Sequence, residues 1–412
     1  MEMEPNHERG LPQGCLNLTD PDLTRAWERI LQLDDWILER QQELTAIPAP
    51  PFEEAPRGER MRDLFQDIGL GDVHRDEVGN VLARPSRGPG STSPLILSAH
   101  LDTVFPPGTE VTPRWSDGAI HAPGIADDGR GLAALLALAR LVEEATLPSL
   151  PPLLFVATVG EEGAGNLRGV RHLFRTGGPS RTARGFISLD GVGLARIINQ
   201  GVGSTRLRAT LRGPGGHSWT DWGLPNPIHA LGRVTAAVET LPLPTQPRTT
   251  ATVARCGGGK SINAIPQEAW IEVDLRSRGS SELQILEEAF LASCRRAAEE
   301  GGGPSTSSLA LEIHELGRRP AGATPGTEPL VRAALSATRA MGVEPKLSAS
   351  STDANIPMSL GIPAITLGAG GKAGGIHTLN EWYTNEKGPE GILRALLTVS
   401  KMGSMGVYPT SE

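Results

Sequence analysis

The 412-residue sequence predicts an α/β fold: a mainly parallel sheet with helices on both faces, interrupted by an inserted α+β domain with an antiparallel sheet. Two hydropathy patterns lead to this prediction. Short, continuously apolar runs are typical of parallel strands that are buried on both faces. Segments that alternate apolar and polar side chains, found within residues 200–317, are typical of antiparallel strands with one wet face. The first pattern returns from residue 318 onward, so one domain is expected to enclose the other.

The elements of the larger domain follow from the first pattern. Residues 21–47 are predicted to form one helix, which Asp20 or Asp22 can cap. Ile37 and Leu38 supply part of its apolar face. The other helices are predicted at residues 56–69, 129–145, 328–341 and 388–402. The parallel strands are predicted at residues 94–100, 153–159, 185–190 and 362–368.

The inserted domain is predicted to cover residues 200–317, which leaves residues 1–199 and 318–412 for the larger domain. Its Gly- and Ser-rich segment 301–308 is predicted as a loop inside the domain and not as a linker. Its strands are predicted at residues 205–213, 248–256 and 268–278, and its helices at residues 226–240 and 280–300.

Composition and charge exclude several classes of protein. The net charge is -8 and the 39 Lys and Arg residues are scattered, which argues against a nucleic acid or an acidic membrane surface as the partner. No apolar run approaches the roughly 18 residues of a membrane span. The polar N-terminal segment lacks the features of a secretion signal, so a cytoplasmic location is expected. Cys15, Cys256 and Cys294 lack metal-ligand spacing and are predicted to be reduced thiols.

Five short islands contain His and acidic residues: SAHLDTV, GIADDGRG, VGEEG, SLDGVG and GGIHTLN. Four of them lie at or just beyond the end of an apolar run, where parallel sheets gather their ligands. Imidazole and carboxylate without thiolate are the ligands of zinc, manganese or cobalt in hydrolytic sites. The set is large enough for two metals and a spare carboxylate that acts as a base. The candidate residues are His100, Asp102, Asp127, Asp128, Glu161, Glu162, Asp190 and His377.

Each island alone has an ordinary explanation. A strand-end histidine can precede a helix-capping aspartate, and an aspartate pair can cap a helix. Paired glutamates can form an exposed acidic turn, and a lone histidine in a loop usually binds nothing. The presence of all five islands, in one order, favours the metal site.

In combination, the islands resemble the dizinc peptidases and deacylases that include carboxypeptidase G, peptidase T, acetylornithine deacetylase and succinyl-diaminopimelate desuccinylase. The resemblance covers roughly residues 30–405. It implies five metal ligands: His100 and Asp190 for one metal, Glu162 and His377 for the other, and Asp127 as the bridge between them.

The same resemblance implies roles for the residues beside these ligands. Glu161 matches the general base, and Asp102 matches the residue that orients the ring of His100. Asp127 is preferred to Asp128 as the bridge because the family's bridging residue follows a small side chain, here that of an alanine. A cis peptide bond between the two aspartates is also implied.

The resemblance extends into the inserted domain. GGHS matches the family's lid histidine, here His217, which in related dimers reaches the partner subunit's active site. KSINAIPQEAWIEVDLRS matches the substrate loop, which implies that Asn263 and Arg276 contact the substrate. Trp219 and Trp222 either line a substrate pocket or pack on the surface of the lid.

The resemblance implies a hydrolase that uses two divalent metal ions, with zinc expected first and cobalt or manganese as alternatives. The expected reaction is cleavage of an amide bond of a small peptide, as in di- and tripeptidases, with Glu161 taking a proton from metal-activated water. An N-acyl-amino-acid deacylase with the same site is the alternative, and a non-catalytic binding protein on this fold is a remote one. A homodimer through residues 200–317 is expected, because pairing can cover the exposed edge of the antiparallel sheet.

Overall fold

The computed structural model describes the chain in seven stretches: residues 10–15, 21–87, 93–144, 150–178, 180–241, 243–301 and 308–404. The chain forms two compact units. The first unit runs to Gln200 and resumes at Ala323, and the second unit is Gly201–Gly322. The predicted loop 301–308 lies mostly outside the described residues.

The helices and strands of the described residues are as follows. The helices are α1 (Pro21–Gln32), α2 (Asp34–Thr45), α3 (Ala55–Ile68), α4 (Gly129–Glu143), α5 (Arg168–Leu173), α6 (Pro227–Glu239), α7 (Ser280–Glu299), α8 (Pro329–Ala340), α9 (Asn355–Ser359) and α10 (Gly388–Ser404). The strands are β1 (Gly71–Arg75), β2 (Val81–Arg84), β3 (Leu95–His100), β4 (Arg114–Ser116), β5 (Ala119–His121), β6 (Leu153–Thr158), β7 (Gly185–Leu189), β8 (Arg196–Gly201), β9 (Gly203–Arg212), β10 (Gly216–His217), β11 (Thr249–Gly258), β12 (Ala264–Ile265), β13 (Glu268–Ser277), β14 (Ala310–Arg319), β15 (Gly322–Ala323), β16 (Lys346–Ser350), β17 (Ala364–Leu367), β18 (Lys372–Gly374) and β19 (Trp382–Thr384).

The large sheet of the first unit has the strand order β1-β2-β6-β3-β7-β17-β8-β15, with β16 paired to β8. Its four central strands, β6, β3, β7 and β17, run parallel, while β2 and β8 join them antiparallel. All side chains of β3, β6 and β7 are buried, because helices pack on both faces of the sheet. The packing of α4, α8 and α10 on one face and of α5 and α9 on the other confirms the predicted fold class.

The prediction of one helix over residues 21–47 is wrong. The segment forms α1 and α2, which meet at Leu33 with a ψ angle of -5°. The sequence gives little sign of this bend, because Leu33 is a good helix former and no Gly or Pro interrupts the segment. The bend lets α1 pack against both α10 and α4 while α2 packs along α4.

The second unit is an antiparallel sheet in the order β11-β13-β9-β14, covered by α6 and α7. Strand β13 alternates buried and half-buried side chains along its whole length, as predicted for a strand with one wet face. Strands β10 and β12 form a separate two-stranded ribbon. The predicted domain limit at residue 317 falls inside β14.

Two further sequence-based expectations concern thiols and membranes. Cys15 and Cys294 are buried, Cys256 is exposed, and all three are free thiols, as predicted. Throughout the part of the chain that the structure describes, every helix is too short or too polar to cross a lipid bilayer.

Candidate metal and catalytic centre

The carboxyl ends of three parallel strands bring together most of the candidate residues. His100 is the last residue of β3, Glu161 and Glu162 follow β6, and Asp190 follows β7 directly. These strands are neighbours in the order β6-β3-β7, so their ends meet at one edge of the sheet.

A small second sheet of the same unit brings the remaining candidates to this edge. Its strand order is β18-β19-β5-β4. The loop that carries His377 joins β18 to β19, and the loop that carries Asp127 and Asp128 leads from β5 to α4. Since β19 pairs with β5, the loop that ends at β19 and the loop that starts from β5 meet adjacent strands.

The carboxylate of Asp127 lies between two imidazoles. Its Oδ1 atom is 3.0 Å from Nε2 of His100, and its Oδ2 atom is 3.0 Å from Nε2 of His377. Nε2 of His377 is also 3.0 Å from Oε1 of Glu162. One carboxylate therefore faces the two histidines that the family resemblance assigns to different metals.

Three overlapping groups of potential metal ligands occur among the described residues. Within each group, the ligand atoms all lie within 4.8 Å of one another. The groups are Asp127 with Glu162 and His377, His100 with Asp128 and Asp190, and His100 with Glu161 and Glu162. All the candidates from the five islands except Asp102 thus belong to one continuous cluster.

Both carboxylate oxygens of Asp128 accept backbone N–H groups, although Asp128 also belongs to one of the groups of potential ligands. Its Oδ1 accepts a hydrogen bond from the N–H of Gly131 at 3.1 Å, which caps the first turn of α4. Its Oδ2 accepts one from the N–H of His100 at 2.9 Å. The peptide bond between Asp127 and Asp128 is cis, which confirms the expectation from the family resemblance.

The buried carboxylate of Asp102 supports the acidic turn after β6. It accepts hydrogen bonds from the backbone N–H groups of Glu161 at 2.9 Å and Glu162 at 2.7 Å. Nδ1 of His100 lies 2.9 Å from the backbone carbonyl oxygen of Asp102 and 3.7 Å from its carboxylate. The backbone of Asp102 therefore orients the imidazole, while its side chain holds the two glutamates.

The electrostatics of the cluster reflect a surplus of buried carboxylates. Burial raises the pKa of Asp190 to about 7, and the nearby charge of Asp127 adds to the rise. Hydrogen bonds to Asp127 and Glu162 raise the pKa of His377 to about 10. Burial opposes ionisation of Asp127, but His100 and His377 hold its pKa below the usual range. The cluster therefore favours positive charge at its centre.

These residues fit a pair of divalent cations. Two atoms that bind one zinc ion at about 2.0–2.2 Å stand roughly 3–3.5 Å apart, and the imidazole–carboxylate separations in this cluster are 3.0 Å. Carboxylates buried this closely are costly unless cations or protons compensate them. Nitrogen and oxygen ligands without sulfur suit zinc, cobalt and manganese.

Sequence analysis missed Glu381, a buried residue that contacts the loop of Asp127. Only 1% of it is exposed, and its carboxylate accepts hydrogen bonds from the N–H groups of Gly124, Ala126 and Asp127. The sequence signal that could have indicated a role for Glu381 was its position four residues after His377, just before β19. The carboxylate meets these donors only because β19 pairs with β5, so the sequence alone does not show the contact.

In the second unit, His217 and Asn263 lie together on the ribbon. His217 pairs with Ala264, and the N–H of the next residue, Ser218, donates to the carbonyl oxygen of Asn263 at 3.0 Å. His217 is exposed, and its own N–H donates to Asp221 at 2.7 Å.

Arg276 lies far from this pair within the unit. It stands near the end of β13, roughly 27 Å from the start of that strand at about 3.4 Å per residue, and its Nε donates to Asp274 at 2.8 Å. Trp219 is 84% exposed and Trp222 is 73% exposed, so neither ring packs on the surface of this unit. A pocket-lining role for the two tryptophans remains a prediction.

Comparison with known proteins supplies the family. The model of peptidase family M20/M25/M40 matches residues 96–400. The aminopeptidase PepT from Bacillus cereus has a similar structure, with a TM-score of 0.72 and 23% identity over 89% of this chain and 98% of that one. A tripeptidase from Staphylococcus aureus gives a TM-score of 0.72 and 22% identity over 90% and 99%. The uncharacterized protein YgeY of Escherichia coli K12 is 26% identical over 135 residues, which span 31% of this chain and only 32% of YgeY.

Proposed function

This chain belongs to peptidase family M20/M25/M40, and from that premise we propose that it is a two-metal hydrolase that cleaves an amide bond of a small peptide, as a di- or tripeptidase-like exopeptidase. One observation carries the proposal: the carboxylate of Asp127 faces His100 and His377 at 3.0 Å each. A carboxylate that faces two imidazoles in this way can be shared by two cations about 3.5–4 Å apart. The spare glutamate, Glu161, belongs to the same cluster.

Five residues of the cluster are assigned to the cations in this proposal. His100 and Asp190 would hold one cation, Glu162 and His377 would hold the other, and Asp127 would be shared. When bound, the cations, which we expect to be zinc, supply Lewis acidity to the scissile carbonyl and to the attacking water. Cobalt and manganese are the alternatives.

Glu161 is the general base and then the general acid. It takes a proton from the attacking water and returns a proton to the nitrogen of the leaving amine. Asp102 fixes the backbone of Glu161 through the hydrogen bond at 2.9 Å, which holds the base in a constant position. Asn263 and Arg276 are proposed to contact the substrate, and His217 to donate a hydrogen bond to the oxyanion of the tetrahedral intermediate. Since Arg276 lies far from Asn263 and His217 within one unit, these residues would reach the same small substrate only if they come from different subunits.

A substrate panel tests the reaction class. Protein loaded with zinc, cobalt or manganese is offered di- and tripeptides beside N-acetyl, N-succinyl and N-formyl amino acids, and release of the amine is measured. We expect cleavage of the free peptides. Preference for the N-acyl amino acids would establish the deacylase instead, and no turnover of either class with metal bound would favour a binding protein on this fold.

We also propose a homodimer that forms through the second unit. In the described part of its sheet, β11 pairs only with β13 and β14 pairs only with β9, so each ten-residue edge strand has one open side. An open edge of this length is a template for pairing with another chain. A twofold axis would pair the same surface of both subunits.

Mixing two inactive variants tests whether His217 acts in the partner's site. Glu161→Gln and His217→Ala are combined under conditions that exchange subunits. If His217 acts across the dimer, one of the two sites in each mixed dimer then has both residues intact. With equal amounts of the two variants, about half of the dimers are mixed, so about a quarter of the original activity should return.

The control for this experiment mixes His217→Ala with the double variant Glu161→Gln/His217→Ala, and no activity should return. Exchange is verified by mass spectrometry of the intact dimers. Confirmed exchange without recovered activity would show that His217 does not act in trans, and a monomer at working concentration would refute the dimer.

A further inference from the structure

We propose that Glu381 is a positioning residue of the metal centre: it fixes the loop that carries Asp127 relative to the turn that carries His377. The inference rests on the proposed function, because it assigns Asp127 and His377 to the same pair of cations. It adds a residue that binds neither metal nor substrate but sets the distance between two ligands.

The side chain of Glu381 clasps the loop before α4. One carboxylate oxygen accepts the N–H of Gly124 at 3.0 Å, and the other accepts the N–H groups of Ala126 at 2.8 Å and Asp127 at 3.1 Å. Its backbone carbonyl accepts the N–H of Ala122 at 3.1 Å. One residue therefore takes four backbone donors from a six-residue segment and leaves that segment little freedom.

A second buried side chain holds the same loop. Nε2 of Gln41, a fully buried residue on α2, donates to the carbonyl oxygen of Ile125 at 2.8 Å. The loop thus has one buried side chain that accepts from its N–H groups and another that donates to a carbonyl. Buried backbone groups that regular structure does not pair need such partners.

Glu381 is also bonded to the turn that contains His377. The N–H of Glu381 donates to the carbonyl oxygen of Thr378 at 3.2 Å, and the N–H of Thr378 donates to that of Gly375 at 2.9 Å. His377 lies inside this hydrogen-bonded turn, and its φ angle of 66° is one that few non-glycine residues adopt. Glu381 therefore joins the turn of one ligand to the loop of the other, and their side chains meet at 3.0 Å.

The surroundings of Glu381 separate it from the reacting groups. Its side chain is almost fully buried, and both of its oxygens are engaged by backbone N–H groups. Among the described residues, Glu381 also belongs to none of the three groups of potential metal ligands. Partners that orient metal ligands typically change metal affinity or activity by about 10–100-fold when they are lost.

Metal affinity of Glu381 variants tests the proposal without a substrate. Glu381→Gln keeps the size of the side chain but turns an NH2 group toward backbone N–H donors, and Glu381→Ala leaves all three donors unpaired. Zinc binding is measured by competition with a chelating indicator. We expect zinc affinity to fall by about 10–100-fold, with a lower kcat and an unchanged KM at saturating zinc.

Asp76→Asn is the matched control. Oδ1 of Asp76 also accepts three backbone N–H groups, from Val78, Gly79 and Asn80 at 3.1, 2.9 and 2.9 Å, but in a loop that contains no metal ligand. This variant should lose thermal stability and keep its zinc affinity. Hydrogen exchange at the amides of Gly124 and Asp127 should rise in the Glu381 variants and not in the control.

The outcomes separate this proposal from the proposed function. Suppose that the unmodified protein binds two zinc ions and that the zinc affinity of Glu381→Gln is within about twofold of that value. This result would leave the metal centre in place and overturn the role of Glu381. Equal loss of affinity in Asp76→Asn would overturn it as well, because the effect would be one of general stability. Unmodified protein that binds no zinc would contradict the metal centre itself. Should Glu381→Ala fail to fold, Glu381→Gln decides the question.

Discussion

Replacement of Glu161 by Gln is expected to leave the bound metals in place and to lower kcat by about 10²–10⁴-fold. The amide has the shape of the carboxylate but cannot take a proton from water. The position of the side chain should persist, because the N–H of Glu161 is held by Asp102 and the residue is 4% exposed. The measurements are kcat on the preferred peptide and metal content per chain.

Two results would contradict this role of Glu161. Near-normal turnover would exclude it as the base. Loss of a metal ion together with the activity would make it a ligand, which its closeness to His100 and Glu162 permits. Glu143→Gln is the control, because that carboxylate accepts the N–H of Ser86 away from the candidate site, and its loss should change neither measurement.

The second large effect is expected from Asp127→Asn. Asp127 uses one oxygen toward His100 and the other toward His377, and asparagine keeps only one oxygen with an NH2 group in place of the other. Metal content should fall from two ions per chain to one or fewer. The loss of a residue that only orients a metal ligand typically lowers activity by about 10–100-fold. The loss of activity in Asp127→Asn should be larger.

Asp128→Asn controls for the adjacent carboxylate. Asp128 accepts N–H groups from His100 and Gly131, so its loss should lower the thermal stability while two ions remain bound. The opposite pattern, in which Asp128→Asn loses metal and Asp127→Asn retains both ions, would show that the shared carboxylate was assigned to the wrong aspartate.

The central strands and helices could be predicted from sequence because burial on both faces leaves continuous apolar runs. The strands that sequence analysis missed lack this signal. Strand β4, with the sequence RWS, is fully exposed, and β16, with the sequence KLSAS, is mostly polar. In β14 a bulge between Glu315 and Gly317 shifts the pairing register, which interrupts the alternation that marks a half-buried strand.

The candidate site shows a similar division. Residues at the end of a strand or directly after it, such as His100 and Asp190, could be placed from sequence because each follows an apolar run. The contacts of Asp102 and Glu381 could not, because their partners are backbone N–H groups from segments 59 or more residues away. Strand pairing creates these contacts, and the local sequence does not contain that information.

Metal content and metal position together test the central claim most directly. Protein reloaded with zinc is measured by elemental mass spectrometry, and crystals of it are measured on both sides of the zinc absorption edge. The account predicts two zinc ions per chain, about 3.5 Å apart, with Asp127 between them. One ion or fewer per chain after reloading, or two ions that do not share Asp127, would contradict it.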